Sequence, residues 1–331
     1  MLLIPELNKK YPFYILSFGV LFLFLALRYD YGNDYMSYYQ SHELINAGFE
    51  AWGSSDVLYR LTNLLIPNFY VLVAFLSLFY IGTIFFLVKY NLYRKQYWFA
   101  VLILLINPYL FLVHLSSFRQ TIAICFVIIA VYFATKRNLV LYFLFVLVAM
   151  GFHPSAIVMF PVYFLLNEKK IKVKKVVLVI GAVFLLLLTP LLDSIIEWSL
   201  SYFPSHYSYY YNQGAGNTLR ATLISSFFFF LILFNINKLN GKDLIYAKLS
   251  LIATIISLLA YKVSMITRIG MYFDVFLIVS LPIIFLKMKG QKLRFVLFVL
   301  MLVIFILRYW SFFNNEIWMD SYRVYQTILS K

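Results

Sequence analysis

Apolar residues run through this chain in blocks of about 14 to 21, separated by short clusters of Lys, Arg and other polar residues. Such blocks lack both the one-sided stripe of a soluble amphipathic helix and the alternation of a half-buried strand. A helix of about 20 apolar residues crosses a bilayer. The blocks predict spans over 12–28, 68–88, 97–113, 117–135, 139–152, 154–167, 176–192, 220–236, 244–261, 268–286 and 295–310. The expected fold class is therefore all-α: a polytopic integral membrane protein of about 11 transmembrane helices (range 10–12), built as a single transmembrane domain over 1–331. Blocks 139–152 and 154–167 are short for a bilayer, and Pro108, Pro190 and Pro282 predict kinks. The first block follows Lys9 and Lys10, as a signal peptide does. It lacks a small-residue cleavage site and runs on to Arg28-Tyr29-Asp30, so a retained helix is expected.

Composition agrees with that reading. Of 331 residues, 63% are hydrophobic and 12% charged, about half the charged share of a soluble domain, and the mean hydropathy is +0.86. A single cysteine, Cys125, excludes a disulfide framework and a cysteine-based metal cluster. The net charge of +15 is spread in short clusters between spans, so nucleic acid is not an expected partner. There is no nucleotide-binding Gly-rich loop, no His/Cys ligand spacing, no nucleophile motif and no internal repeat. A cytosolic nucleotide-sugar site is not expected, and neither a cofactor nor a metal is called for.

Orientation follows from the Lys and Arg of the short loops. With the N-terminus in the cytoplasm, 19 of the 28 cations fall on the cytoplasmic side, and the odd span number leaves the C-terminus outside. Sixteen of the 18 Lys are then cytoplasmic. Seven of the ten Arg are outside (Arg28, Arg60, Arg119, Arg220, Arg268, Arg308 and Arg323), as are all four His: His42, His114, His153 and His206. Topology does not require Arg where Lys is avoided, and a planar, permanently charged fork suits phosphate oxygens. Each one alone reads as a headgroup anchor; seven together direct attention to the outer face. Two outer loops are long, about 29–67 and 193–219. The first holds Asp30, Asp34, Glu43, Glu50, Asp56 and five Tyr between 29 and 39; the second holds the run Pro204–Tyr211. Their aromatic content argues for order.

Several residues carry candidate chemistry. Ser116-Ser117-Phe118-Arg119-Gln120 opens the fourth span, with Ser as a capping signal. Arg119 on the first turn faces the positive end of its own helix, which is unfavourable by about 0.3–1 kcal/mol unless an anion sits there. Arg220 and Arg268 repeat the arrangement. Three such termini suit a multiply charged anion such as a diphosphate; the bland alternative is interfacial snorkelling. His153, held before Pro154 at the junction of two spans, is a candidate general base or phosphate donor. Asp30 and Asp34 are placed to bind a divalent ion or accept a proton from a sugar hydroxyl. A helix from Asp34 onward puts Tyr35, Tyr38 and His42 on one face suited to sugar rings; the alternative is an aromatic belt. Asp274 is the one acid placed within a span, and serves either a proton pathway or an ion pair.

The order of these segments resembles the EpsG family, within the broad group of Wzy-like polysaccharide polymerases. The resemblance rests on Arg28 with Gly32-x-Asp34-Tyr35-x-x-Tyr38, on Ser117-Phe118-Arg119-Gln120-x-x-Ala123, on Phe152-His153-x-Ser155, and on Arg268-x-x-x-Tyr272-Phe273 followed by Pro282. It covers about residues 28–282; the last span and the tail carry no such motif. The resemblance implies an inverting glycosyltransferase of the bacterial cytoplasmic membrane. It would join oligosaccharide repeats carried on undecaprenyl diphosphate into exopolysaccharide, capsule or O-antigen at the outer face. Arg119, Arg268 and Gln120 are then expected to bind the diphosphate, with Arg28 holding Asp34 or a second phosphate. His153 is the base or phosphate donor, Asp34 positions or deprotonates the acceptor hydroxyl, and Tyr35, Tyr38 and Tyr272 are expected to contact sugar. Membrane lipid, a flippase and a chain-length regulator are the expected partners.

Rival readings are a transferase adding one sugar from a polyprenyl phosphate donor, and a transporter or flippase of lipid-linked oligosaccharide. The missing duplication weighs against the transporter. An O-acyltransferase is disfavoured because the cytoplasmic loops contain no His.

Overall fold

The computed structural model describes residues 11–166, 219–261 and 266–330, together with positions 169, 170, 172 and 181. The predicted span over 176–192, save position 181, and the loop over 193–219, save its last residue, lie outside the described residues, with Pro190, His206 and Tyr207–Tyr211. The chain divides into two compact units, Met1–Phe164 with Lys289–Lys331, and Leu165–Met288.

The first unit begins with α1 (Tyr11–Ala26) and a two-residue strand β1 (Arg28–Tyr29), followed by α2 (Tyr35–Asn46), α3 (Val57–Leu65) and α4 (Phe69–Asn91). The predicted long loop 29–67 is thus an ordered segment built mainly of two short helices. α4 has 23 residues, about 34 Å of helix and enough for a hydrocarbon core. Its start is fixed by Asn68, whose side chain accepts from the Val71 amide at 3.1 Å. The same device starts α9 (Leu139–Phe152), where Asn138 accepts from Leu141 at 3.0 Å.

Two X-Pro bonds shape the unit. A residue before proline is pushed out of the helical region, and Asn107 (φ −107°, ψ 98°) and His153 (φ −158°, ψ 113°) are both extended. The block 97–113, predicted as one span, is therefore broken: α5 (Tyr97–Ile106) stops at Asn107, and α6 (Pro108–Phe111) and α7 (Val113–Ser116) continue after a turn of 92°. At His153 α9 ends, and the block beyond is not a regular helix. It is a 3₁₀ turn over Pro154–Val158, one α turn, α10 (Met159–Val162), and a second 3₁₀ turn over Tyr163–Leu165.

α8 (Phe118–Thr135) is the most enclosed helix of the unit, packed on α9 and α4 with Ala123, Cys125, Val127 and Ala130 fully buried. Small side chains along it let the neighbours approach closely. Lys136, just past its end, reaches the rings of Tyr90 and Tyr132, so the Lys-rich ends of α4 and α8 lie together. The last long helix, α15 (Gln291–Phe313), leads into α16 (Glu316–Tyr322) and strand β2 (Gln326–Thr327). β2 pairs antiparallel with β1, Arg28 opposite Thr327 and Tyr29 opposite Gln326. The C-terminal segment therefore lies at the same end of the unit as the 28–67 segment.

In the second unit, α11 (Leu219–Ile236) and α12 (Gly241–Leu259) are joined by a hydroxyl pair, Ser225 to Ser257 at 2.6 Å. α13 (Ile266–Asp274) and α14 (Leu277–Lys287) meet at a 54° bend, and Ser250 of α12 pairs with Ser280 of α14 at 2.7 Å. The bend falls at Val275–Phe276, where 3₁₀-type bonds replace the α pattern, not at Pro282, which sits inside α14.

Among the described residues, four helices are long and apolar enough to cross a membrane (α4, α8, α11 and α15), or six if each bent pair counts as one span. The helical, membrane-spanning class holds. α1, α9 and the 154–165 segment are apolar but shorter.

Candidate functional site

Three segments of the first unit converge on one carboxylate. Asp56 stands at the N-terminus of α3, yet its side chain makes no capping bond. It turns instead to Arg119 on the first turn of α8, with Arg119 Nη1 donating to Asp56 Oδ2 at 2.7 Å. The anion expected at that helix terminus is thus supplied by the chain itself. His153, at the end of α9, places Nδ1 3.8 Å from the same oxygen. Arg119 and His153, read from sequence as neighbours in depth, are brought together through a residue not singled out there.

The local chain is shaped to allow this. The turn before α3 needs φ +83° at Gly53, and a Cβ there would stand 2.9 Å from Arg119 Cδ and Nε. Trp52 lies under the guanidinium, 4.5 Å from ring centre to Cζ. A Cβ on Gly151 would come within 2.6 Å of Leu58, so the absence of a side chain lets α9 close on α3 near His153. Tyr38 stacks on Phe118 at 4.4 Å and 10°, and its hydroxyl lies close enough to Arg119 to feel its charge. Burial pushes Tyr38 up to about 12, against the pull of the Arg119 charge, and burial raises Tyr59 as well. Both phenols stay neutral donors.

Three buried polar atoms here have no hydrogen-bond partner: Arg119 Nε, His153 Nδ1 and the Tyr59 hydroxyl. Buried polar groups are rarely left unpaired, and three around one carboxylate mark a place for a polar ligand or water. Asp56 is nearly enclosed, while His153 keeps 20% of its side chain exposed, so the cluster is most open at His153. Among the described residues no three His, Cys, Asp or Glu side chains gather as a metal site.

The other expected site residues are placed differently. Asp34 is the residue before α2 and is half-buried, close enough to act electrostatically on Tyr38 and Tyr322. The expected Arg28–Asp34 pair is absent: Arg28 is buried, donating to the carbonyls of Leu25 (2.9 Å) and Leu115 (3.4 Å), with its Cζ over Phe118 at 5.1 Å. Desolvation lowers it to about 10. The cavity beside it, shared with Ser77, His114 and Thr121, measures about 20 Å³, room for one water and not for a phosphate. Tyr35, Tyr38 and His42 do share one face of α2, as periodicity implies. That face packs inward, because the α3 and α4 surfaces it meets are aromatic. Tyr35 is buried with its hydroxyl on the Arg28 carbonyl, and His42 is held by Asn63 (2.8 Å) and the Pro67 carbonyl (3.0 Å). An open sugar-stacking face is thus not what these rings form. Ser117 does not cap α8 with its side chain; its hydroxyl donates back to Val113 at 3.4 Å. Gln120 is buried on α8.

Arg268, Tyr272 and Asp274 belong to the second unit. Arg268 is exposed on the first described turn of α13, Tyr272 is buried, and Asp274 closes α13 at the bend. Arg220 is exposed at the start of α11.

What the sequence reading passed over is Asp56 with Tyr59. A signal was present: Gly53-Ser-Ser-Asp56 is a turn followed by a capping residue, directly before an amphipathic helix. No curated protein and no solved structure matches the chain. The sequence model of the EpsG family matches residues 11–327, nearly the whole chain, and this membrane protein belongs to the EpsG family, a family of Wzy-like polymerases of polysaccharide biosynthesis.

Proposed function

We propose that this protein joins lipid-linked oligosaccharide repeats by inverting glycosyl transfer, with the reaction centred on Arg119, Asp56 and His153. The observation that carries the reading is the set of unpaired buried donors around Asp56, at the end of two apolar helices where a lipid-borne headgroup arrives. The acceptor hydroxyl gives its proton to His153 while its oxygen bonds to the anomeric carbon. The anomeric C–O bond to the diphosphate breaks, and the electron pair leaves with the diphosphate oxygen. Arg119, through Nη and Nε, stabilises that departing charge. Tyr38 and Tyr59 supply neutral donors to sugar or phosphate oxygens, and Asp34 stands at the rim as a second carboxylate for the acceptor. Gln120 and Arg268 are each assigned to diphosphate binding on the family's pattern alone.

Two features support a polyprenyl carrier and an outward-facing site. An open apolar groove of about 580 Å³ runs along α4, α8 and α9, lined by residues including Phe75, Phe79, Gly82, Phe86, Ile129 and Phe145. A line of rings, Phe152 to Phe126 at 5.4 Å and Phe126 to Phe145 at 6.3 Å, joins it to the residue before His153. The Lys-bearing ends of α4 and α8 lie opposite the Arg119 end, as the positive-inside rule requires for a site on the outer face of the cytoplasmic membrane. The β1–β2 pair supports the odd number of crossings that leaves the C-terminal segment on that face. A flippase delivering repeats and a length regulator remain the expected partners.

The test is surface-polysaccharide length on a gel in a deletion strain complemented with wild type or Arg119→Ala, at matched membrane abundance. Single repeats in the deletion, and no ladder with the variant, support the polymerase. An intact ladder in the deletion ends the proposal. One fixed addition points to the single-sugar transferase, and repeats trapped on the cytoplasmic leaflet to a flippase.

A further inference from the structure

Resting on the diphosphate assignment above, we infer that Asp56 is a resident counter-ion which the donor's phosphate displaces from Arg119, and that the freed carboxylate turns to His153 and orients it as the base. Asp56 is thereby a positioning residue that couples arrival of the donor to activation of the base.

The geometry of the pair carries this. A buried Arg–carboxylate pair with a purely structural role favours the two-point fork, both oxygens against two guanidinium nitrogens. Here a single contact is made, Nη1 to Oδ2 at 2.7 Å, while Nε is buried and unpaired. Gly53 packs closely against this part of Arg119, since a Cβ there would stand 2.9 Å from Nε. The guanidinium thus meets the carboxylate at one point and keeps a second, buried donor unpaired.

The second half rests on the shared oxygen. At 3.8 Å from His153 Nδ1, Oδ2 lies outside hydrogen-bond range, and the imidazole nitrogen is left unpaired. An advance of about 1 Å, within reach of a side-chain rotation, would make that bond. A phosphate on Arg119 removes the contact that holds Asp56 back. Its like charge then repels the carboxylate, and His153 is the nearest partner available. An Nδ1–H bond to Asp56 leaves Nε2 free to take the acceptor's proton, and the carboxylate stabilises the imidazolium that forms. Before the donor is seated, the base is not oriented, which withholds activation from a lone acceptor or water.

The experiment uses the full chain purified in detergent, inorganic pyrophosphate as probe, and polymerisation kinetics with the lipid-linked repeat. Asp56→Asn is expected to bind pyrophosphate about tenfold more tightly than wild type, since the resident competitor is gone. Its kcat is expected to fall about 100-fold, the scale of one acid–base contribution, with KM for the donor unchanged or lower. Asp56→Glu, which keeps the charge, should recover most of kcat. Equal or weaker pyrophosphate binding by Asp56→Asn, or loss of kcat with a rise in KM, overturns the inference. In wild type alone, pyrophosphate should shift the imidazole nitrogen signals of His153; their staying in place overturns it even if Asp56→Asn does not fold. Arg119→Gln separates the two levels. If it abolishes pyrophosphate binding while Asp56→Asn changes nothing, only the displacement falls. If Arg119→Gln binds pyrophosphate as wild type does, the diphosphate assignment itself falls.

Discussion

The hydroxyl of Tyr322 lies 2.6 Å from Oγ of Ser116 and donates to the Leu112 carbonyl at 2.8 Å. Ser116 Oγ also accepts from the Asn33 amide at 2.7 Å. The hydrogens therefore run in one direction, from Asn33 through Ser116 and Tyr322 to Leu112. This chain ties the segment after α1, the turn before α8 and the C-terminal helix α16 into one support, three residues from Arg119. Tyr322→Phe keeps the ring and removes the link, leaving the buried Ser116 hydroxyl without its acceptor and the Leu112 carbonyl with the Leu115 amide alone. The expected cost is about 1–3 kcal/mol, read as a lower thermal midpoint of the purified protein. A midpoint equal to wild type would show that water replaces the hydroxyl and that the support is not needed.

Gly53 offers a test of the site that leaves every ionisable group in place. Its φ of +83° and the 2.9 Å approach of a built Cβ to Arg119 mean that Gly53→Ala must move either the turn or the guanidinium. Strain of this kind amounts to about 1–3 kcal/mol, and it falls on Arg119. Polymer length in a complemented deletion strain should drop sharply with Gly53→Ala. It should stay normal with Gly19→Ala, where nothing lies within 4 Å of the added carbon.

Much of this site was legible along the chain, and the missing part has a physical cause. His153 before Pro154 fixes an extended residue at a helix end whatever the tertiary context, and Arg119 at a helix start demands an anion. Both are local rules, and the structure brings the two residues together. Asp56 is 63 residues from Arg119, one of five acids in its segment, and only the folded chain pairs them. The α2 face shows a different limit. Periodicity places Tyr35, Tyr38 and His42 together but does not say whether the face meets protein or substrate. That was decided by α3 and α4, which cover it with Tyr59 and Phe69. In the same way Pro108 marks a break in its span, but its 92° extent depends on what α6 packs against, including the Tyr80 hydroxyl on the Leu110 carbonyl at 2.7 Å.

Alkaline pH should destabilise the protein through its buried phenols. Burial pushes Tyr31 and Tyr38 up to about 12 and raises Tyr35, Tyr59 and Tyr322 in the same direction. In the unfolded chain these groups ionise near 10, so above that pH the unfolded state loses protons that the folded state keeps. The stability they confer is full below pH 10 and is lost as pH rises toward 12 and beyond. Thermal midpoints measured from pH 8 to 12 should hold level and then fall steeply above 10. A midpoint that stays level to pH 12 would contradict this.

Arg119→Lys separates charge from shape. Lysine keeps the positive charge and can still meet Asp56, so the ion pair and the fold should persist at normal membrane abundance. What it lacks is the planar fork, with Nε available on one edge while Nη1 is engaged on the other. If Arg119 acts by holding two phosphate oxygens of a leaving diphosphate, a single ammonium replaces it poorly. The loss expected is then about 10²–10³ in rate, the scale seen when one donor to a developing negative charge is removed. The assay is the rate of ladder formation from lipid-linked repeats in membranes, with abundance checked by immunoblot. A rate within about threefold of wild type would mean that charge alone suffices. Arg119 would then be the partner of Asp56 and nothing more, and the leaving group would have to be sought elsewhere, first at Arg268.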